Sequence, residues 1–470
     1  AHNLQISPGW RSLVVGSRGF LKLLPIEDYP VDTVKVNGQF QVEKNIYFKG
    51  KHRDVVQQFT VGRSASVEFD LPATRAYATS NDTSVLLADI VTLQENSRWV
   101  ARKMAVGSGW QKLSINSGAV FSLLPIGDYG IDEINVNSGA EVLVESIIVI
   151  RGRSSPLARS LTIGSRAVMK FDLTPSRKPY SPPQNFSEIR ARDVSVYGTL
   201  LAQKLSIKPG WQRFFIGNAG LVRLLPVKDY PIDNVIINGR FEVECNITLH
   251  GKTSMFVSSV VLGPNSRMEF DLSPSRPNAK QNSSSEVKAN TVELQSNSVW
   301  VARKMKIGLG WVKLTVGNGA RFQVLPIGEY KIDDVLVRGQ LSVESTVIIR
   351  GRSRELMNSF FVADGATVDF DIPQTRPNTQ LQSFSEMRAV TVTINGRWHP
   401  QKLKIRPGWS SLTIGPRGVL RVLPMDVYEI DSVTVNGKFE VESTIFLRGK
   451  ASNFVRSEEH TSELQSRQYL

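Results

Sequence analysis

The sequence predicts an all-β fold, built as an elongated parallel β-helix or solenoid. Apolar and polar residues alternate through short runs such as Val235-x-Ile237, which is the period of a strand. Almost no stretch carries the 3.6-residue period of an amphipathic helix. One motif also returns about every 100 residues, and each period contains about four smaller strand, turn, strand units, as stacked rungs would require.

The repeated motif runs from Leu-Pro through a Tyr and an Ile/Val-Asp to an alternating run, a Gly, a Val-Glu and a closing Gly-Lys or Gly-Arg. Alternate copies are the most similar, which indicates that a pair of repeats was duplicated as a pair. We predict one continuous solenoid over residues 1–455. Its repeats are 1–97, 98–197, 198–298, 299–396 and an incomplete 397–455.

Asn-Gly turns support a different architecture. Asn-Gly between alternating apolar residues, as at Asn37-Gly38, Asn238-Gly239 and Asn436-Gly437, is a strong hairpin signal, and hairpins at this spacing are typical of tandem antiparallel β-sandwich domains. The solenoid is favoured because every quarter of the period repeats the same strand, turn, strand pattern.

On that quarter-period pattern, residues 4–455 resemble the parallel β-helix class, which includes pectate-lyase-like and filamentous-adhesin-like solenoids. The resemblance implies a scaffold on which a site is placed. Members that cleave polysaccharides use clustered carboxylates, or a basic residue with a metal, on neighbouring rungs.

The last residues break the pattern. RSEEHTSELQS, residues 456–466, resembles the translated read-through of a common sequencing-library adapter, and sibling copies continue into a strand at this point. We therefore predict that 456–470 is an artefactual, non-native tail.

The net charge of +14 favours acidic partners, and no apolar run is long enough to span a bilayer. Cys245 is the single cysteine, so no intramolecular disulfide can form. The chain begins Ala-His-Asn without a signal-like segment, and we expect it to be processed or incomplete. An extracellular or cell-surface location is inferred from possible glycosylation sites at Asn81, Asn185, Asn246 and Asn282.

Carboxylates recur in every repeat, and a catalytic site normally occurs once. Their recurrence therefore favours turn caps or ion pairs, and we lean against an enzyme. The histidines are scattered without metal-ligand spacing, so we predict no metal site and no cofactor. The recurring carboxylates are Asp32, Asp132, Asp233, Asp333 and Asp431, then Glu43, Glu145, Glu244, Glu344 and Glu442, and the Phe-Asp set Asp70, Asp172, Asp271 and Asp371.

Basic residues form two recurring sets. The first set straddles a Gly, so that alternation places both side chains of each pair on one face and the faces form a ladder. The second set lies next to Trp99, Trp300 and their counterparts. A Trp could stack on a sugar ring while the cation meets an anionic group; the alternative is that the Trp packs in the core and the cations are solvated. The first set is Lys49, Lys51, Arg151, Arg153, Lys252 (paired with His250), Arg350, Arg352, Arg448 and Lys450, and the second is Arg102, Lys103, Arg303 and Lys304, with Lys204 and Lys402 as counterparts.

These features predict a non-enzymatic extracellular or cell-surface scaffold or adhesion protein. Its basic ladder would bind acidic polysaccharide or glycosaminoglycan-like glycans, and no nucleic-acid partner is expected. Two alternatives stay open. One is a polysaccharide lyase or glycoside hydrolase on the same fold, and the other is a purely structural matrix element.

Overall fold

In the computed structural model the chain forms two compact units, Ala1–Pro231 and Ile232–Leu470. The structure describes residues 2–4, 8–25, 28–43, 45–69, 83–125, 127–145, 147–171, 186–226, 229–244, 246–270, 284–352, 354–370, 384–450 and 456–457.

In these residues every regular element is a β-strand, and the recorded strand pairs are parallel. The predicted all-β parallel solenoid is confirmed, and the antiparallel sandwich alternative is wrong. No helix in the described residues is long and apolar enough to cross a membrane.

Each rung of the solenoid crosses three faces. In unit 1, β12 (Trp110–Ile115) lies on the first face and β13 (Val120–Pro125) on the second. The chain reaches the third face at the start of β14 (Asp128–Val136), whose later residues return to the first face one rung on. The three faces enclose an apolar core, because alternate residues of every strand point inward.

The strands of unit 1 stack on these faces. The first face contains β2 (Trp10–Val15), β4 (Tyr29–Val36), β7 (Val56–Val61), β10 (Ala88–Leu93), β12, β14, β17 (Ala158–Ile163), β20 (Ala191–Val196) and β22 (Trp211–Ile216). The second contains β3 (Phe20–Pro25), β5 (Gln39–Val42), β8 (Ser66–Phe69), β11 (Arg98–Ala105), β13, β15 (Glu141–Val144), β18 (Val168–Phe171), β21 (Thr199–Ser206) and β23 (Leu221–Pro226). The third contains β1 (His2–Leu4), β6 (Tyr47–Lys49), β9 (Ser84–Leu86), β16 (Val149–Arg151) and β19 (Ser187–Ile189).

Unit 2 repeats the arrangement. Its first face contains β24 (Tyr230–Ile237), β27 (Val257–Leu262), β30 (Ala289–Leu294), β32 (Trp311–Val316), β34 (Tyr330–Val337), β37 (Met357–Val362), β40 (Ala389–Ile394), β42 (Trp409–Ile414), β44 (Tyr428–Val435) and β47 (Arg456–Ser457). Its second contains β25 (Arg240–Val243), β28 (Arg267–Phe270), β31 (Val299–Lys306), β33 (Arg321–Pro326), β35 (Gln340–Val343), β38 (Thr367–Phe370), β41 (Arg397–Lys404), β43 (Val419–Pro424) and β45 (Lys438–Val441). Its third contains β26 (Thr248–His250), β29 (Ser285–Val287), β36 (Ile348–Arg350), β39 (Ser385–Met387) and β46 (Leu447–Arg448).

The strand register explains the repeat length. On the first face of unit 1, successive rungs are 21, 25, 32 and 22 residues long, so four rungs complete one period, as the sequence predicts. The longest rung carries the Pro/Ser/Asn-rich stretch between the second and third faces, most of which lies outside the described residues. The pairs that set these lengths are Trp10 with Val31, Thr33 with Gln58, Gln58 with Ile90, and Ile90 with Lys112.

Four of the five Gly-Trp tryptophans, and the tyrosine that follows each Leu-Pro, are core residues. The Trp110 indole N–H donates to the Leu86 carbonyl oxygen at 3.0 Å, and the Tyr129 hydroxyl donates to the Met104 carbonyl oxygen at 2.6 Å. Both acceptors belong to earlier rungs, so each ring joins neighbouring rungs inside the core. Burial raises the pKa of Tyr129, as expected for a phenol that stays protonated.

The Asn-Gly pairs join the first face to the second without forming hairpins. Type I′ hairpin turns need positive φ at both central residues, and neither Asn37 nor Gly38 has one. Glycine is required for another reason: a Cβ at Gly38 would lie 2.1 Å from the Gly19 carbonyl oxygen of the preceding rung. The close stacking of one turn on the next therefore selects glycine here.

The segment predicted to be a non-native tail is described only at Arg456–Ser457. These two residues form β47, in which Arg456 pairs with Ser432 and Ser457 with Val433 of β44. They occupy the place on the first face where sibling repeats have a longer strand. The interpretation of 456–470 as adapter sequence stays a prediction.

Candidate functional site

The recurring Asp of the Ile/Val-Asp motif caps a backbone turn between the third and first faces. Its carboxylate accepts a hydrogen bond from the N–H of the second cation of the Gly-flanking pair. Since four repeats make this contact, it belongs to the fold, and the turn-cap interpretation is confirmed for them. The four bonds, each 2.8 Å, are Lys51 N–H to Asp32, Arg153 N–H to Asp132, Lys252 N–H to Asp233, and Arg352 N–H to Asp333.

Asp32 shows the electrostatics of this cap. Its burial favours the neutral carboxyl, but hydrogen bonds from His52 and from the Lys51 N–H outweigh that effect and hold the pKa of Asp32 below its usual value. The His52 Nδ1 atom lies 2.5 Å from Asp32 Oδ2. The carboxylate therefore stays ionised and is committed to the turn.

We predict that Asp132→Ala lowers the free energy of unfolding by about 1–3 kcal/mol, because it leaves the Arg153 N–H without its acceptor. Glu133→Ala is the matched control: Glu133 pairs with the exposed Arg159 at 2.8 Å, and its loss should cost less than about 1 kcal/mol. Urea unfolding of both variants measures the difference. Equal losses would contradict the cap.

In four of the five Gly-flanking pairs, the first cation lies beside a carboxylate. In unit 1 Arg151 Nε is 3.2 Å from Asp128 Oδ2, and in unit 2 Arg350 Nε is 2.6 Å from Glu329 Oε2. Lys49 Nζ donates to Asp28 Oδ2 at 2.8 Å, and this hydrogen bond raises the pKa of Lys49. Arg448 pairs with Glu429 in the same way. Four of the nine ladder cations are thus balanced by negative charge at this first position.

The second cation differs between alternate repeats. Arg153 Nη1 reaches Asp89 Oδ1, three rungs back, at 2.6 Å. Arg352 Nη1 lies 3.1 Å from Asn290 Oδ1, and its guanidinium lies 4.0 Å from the centre of the Phe256 ring. These arginines clamp neighbouring rungs together.

Where the repeat has lysine, the clamp is missing. Lys450 stands in the place of Arg352, and the counterpart of Asn290 is Val390, which offers no acceptor. In the described part of the chain, Lys51, Lys252 and Lys450 show no carboxylate contact through their side chains. The second position of the Gly-flanking pair is therefore arginine in the repeats where an earlier rung provides an acceptor for its guanidinium group.

The second basic set lies at the corner between the second and third faces. The register of β31 shifts between Ala302 and Met305, and Arg303 and Lys304 occupy this irregularity. Lys103 lies at the same bulge in β11, while the side chain of Arg102 lies outside the described residues. The counterparts Lys204 and Lys402 are exposed.

The tryptophans beside this set do not reach the surface. Trp99, Trp300 and Trp398 are fully buried and pack against phenylalanines, as Trp300 does against Phe270 with ring centres 5.7 Å apart. The hypothesis that these rings stack on a sugar is wrong, because β-strand alternation turns them into the core. The alternative of a core Trp is confirmed.

The third face holds ion pairs that sequence reasoning missed. Glu188 accepts from Arg190 at 2.9 Å in unit 1. In unit 2 Arg388 pairs with Glu386 at 2.5 Å and with Glu355 at 2.9 Å. The carboxylate of Glu188 raises the pKa of Arg190. A Ser-Glu-x-Arg motif at the start of the third-face strand is the signal that could have revealed this pattern.

Other predicted features lie largely outside the described residues. Asn246 is half-buried between β25 and β26. The remaining possible glycosylation sites, Asn81, Asn185 and Asn282, lie outside the described residues, as do Cys245 and the Phe-Asp carboxylates Asp70, Asp172, Asp271 and Asp371.

The described ranges contain no metal-binding cluster, and the two cavities described below are apolar. No group of three or more His, Cys, Asp and Glu residues there is placed to hold a metal ion. Two cavities lie inside the apolar core at equivalent places, one beside Tyr129 and one beside Tyr330. Their linings are apolar apart from these phenols, so they are packing voids.

Comparison of the chain with known protein families, curated proteins and solved structures gives no match.

Proposed function

We propose that this chain is a non-enzymatic scaffold that binds acidic polysaccharide through cations on its surface, outside the cell or at the cell surface. The fold suits this role because a stack of rungs repeats surface positions at a regular spacing of about 4.8 Å. The net charge of +14 gives the whole surface an attraction for polyanions.

One observation carries the proposal. Several exposed cations have no carboxylate contact within the described residues, whereas the recurring Asp32, Asp132, Asp233 and Asp333 are committed to turn caps. An unpaired surface cation can accept an anionic partner without first breaking an ion pair. These cations include Lys204, Arg321, Arg338, Arg397 and Lys402.

The partner should be a long polymer. Each exposed contact is weak and screened by salt, so one contact gives little affinity. A polymer that touches several cations at once gains from each added contact, because the later contacts form within one complex. Affinity should therefore rise with chain length.

The hydrolase or lyase alternative has less support. Hydrolysis of a glycosidic bond requires a pair of carboxylates that face the substrate, and a lyase of this class uses clustered carboxylates or a basic residue with a metal. The recurring Asp carboxylates instead accept backbone hydrogen bonds, and Glu43 and Glu442 pair with Lys22 and Arg421, each at 2.5 Å. These carboxylates already have hydrogen-bond or ion-pair partners within the fold.

We predict that the chain is retained on heparin and on polygalacturonate at low salt, but not on a neutral dextran. Retention should fall steeply as salt increases and should increase with the length of heparin oligosaccharides. Affinity chromatography and calorimetry measure both effects. Equal retention on dextran and heparin would favour the purely structural alternative, and depolymerisation of polygalacturonate would favour the enzyme.

A further inference from the structure

The second face of unit 2 carries a line of basic side chains that the repeat motif does not contain. Nine second-face strands stack in register, and the same outward position of each strand forms a single row. Five of these nine positions carry a cation. The positions between them are Val, Gln or Thr, so no carboxylate interrupts the row. The arginine row consists of Arg240, Arg267, Arg321, Arg397 and Lys438.

The cations of the arginine row face solvent. The side chains of Arg240, Arg267 and Lys438 are 58%, 48% and 63% exposed. Each has a Glu two residues further along its own strand; Arg240, for example, lies 2.7 Å from Glu242. A guanidinium has five N–H donors, so an arginine bound to one carboxylate keeps donors for a second anion.

The central members of the row are not paired. Arg321 and Arg397 are exposed and contact no carboxylate within the described residues. Arg240 and Arg267 are direct neighbours on adjacent strands, an arrangement of like charges that destabilises a sheet. The contact between Arg240 and Arg267 therefore has an electrostatic cost, which the Glu partner of each arginine offsets only in part.

Sibling repeats show that the fold does not need these cations. The counterparts of Arg321 include Phe20, Val120 and Val419, and Thr199 is the counterpart of Arg397 in the third repeat, although the second repeat has Arg98 there. The corresponding row in unit 1 contains one cation, Arg98, and one anion, Glu141. A concentration of cations that is present in one unit, and replaced mostly by neutral residues in the other, has the distribution expected of a binding site.

We propose that the arginine row is the surface on which the acidic polysaccharide binds, with the polymer lying parallel to the direction in which the rungs stack. This proposal rests on the proposed function and assigns its site. At about 4.8 Å per rung, Arg267 and Arg321 are about 10 Å apart, and Arg321 and Arg397 about 14 Å. The whole row spans eight rung spacings, about 38 Å, so a long chain can contact several guanidinium groups that a short one cannot.

The ligand chemistry is that of sulfate or carboxylate groups on a linear glycan. Arginine binds both groups with two parallel N–H···O bonds, whereas lysine acts as a point charge. Single-stranded nucleic acid would need aromatic side chains on which bases stack, and the row and its intervening positions offer none. The row therefore favours a polysaccharide.

The test uses substitutions taken from sibling repeats, which the fold already accepts. Arg321→Val with Arg397→Thr should weaken binding of a long heparin oligosaccharide about tenfold. The control is Arg213→Ser with Lys313→Ser, two exposed first-face positions whose sibling residue is Ser411; it removes the same charge and should change the affinity less than about threefold. Circular dichroism and the thermal midpoint confirm that both variants fold.

A second row variant, Arg240→Gln with Arg267→Ser, provides an independent measurement and should weaken binding in the same direction. If the parent chain binds and the row variants bind as well as the control, the arginine row is not the binding site. The proposed function would then depend on other cations. If the parent binds no acidic glycan, both proposals fail. If duplex DNA binds more tightly than the glycans and the row variants lose it, the ligand class is wrong.

Discussion

Replacing Trp110 by alanine should lower the free energy of unfolding of this protein by about 3–5 kcal/mol. The side chain is fully buried, its ring centre lies 6.4 Å from that of Trp99 and 6.5 Å from that of Phe121, and its indole donates to Leu86. Alanine would leave a cavity across two rungs and an unsatisfied carbonyl. Chemical unfolding followed by circular dichroism measures the loss.

The first repeat supplies a matched control for this substitution. Trp10 occupies the same Gly-Trp position but is 37% exposed, so Trp10→Ala should cost distinctly less. Trp110→Phe separates the hydrogen bond from the packing, because it keeps most of the ring and leaves the Leu86 carbonyl unpaired, at about 1–3 kcal/mol. Equal effects at Trp10 and Trp110 would mean that the landmark tryptophans do not hold the core.

The architecture could be read from the sequence because two periodicities agree. Strand alternation fixes which residues point inward, and the four-part repeat fixes how often the chain returns to the same face. The Asn-Gly pairs indicated antiparallel hairpins instead, because glycine is found in turns for two different reasons. At Gly38 it prevents contact with the preceding rung, and only the stacked structure distinguishes that use from a left-handed turn.

The predicted basic ladder illustrates what the sequence leaves open. Alternation predicts that the two cations of a pair share one face, but it does not identify their partners, which come from other rungs. Asp128 lies 23 residues before Arg151, and Asp89 lies 64 residues before Arg153. Because the rungs differ in length, these neighbours cannot be identified until the strand register is known. A charge that recurs in the sequence can therefore already be neutralised in the fold.

The arginine row escapes sequence analysis for the opposite reason. Aligning the repeats draws attention to what every copy shares, and shared residues serve the stack, as the turn caps and the buried tryptophans do. A site that occurs once is found among the differences. Arg321 and Arg397 differ from their counterparts Val120 and Thr199, and the register places these differences on one face.

The alternation that defines the fold predicts a large difference between two adjacent residues of β34. Val335 is 2% exposed and faces the core, whereas Leu336 points to the outside and is only half-buried. Val335→Asp should lower the free energy of unfolding by more than about 4 kcal/mol, because the carboxylate would be buried without a partner. Leu336→Asp should cost less than about 1 kcal/mol.

Acid provides a further check on this pair. Burial raises the pKa of the new carboxyl in the folded state above its unfolded value, so the folded state binds the proton more tightly. The destabilisation by Val335→Asp, relative to the parent, should therefore shrink as pH falls through that raised pKa, while Leu336→Asp should show little such recovery. Urea unfolding at pH 7 and at pH values near 5 measures both effects. Similar losses at 335 and 336 would show that β34 does not turn Val335 into the core.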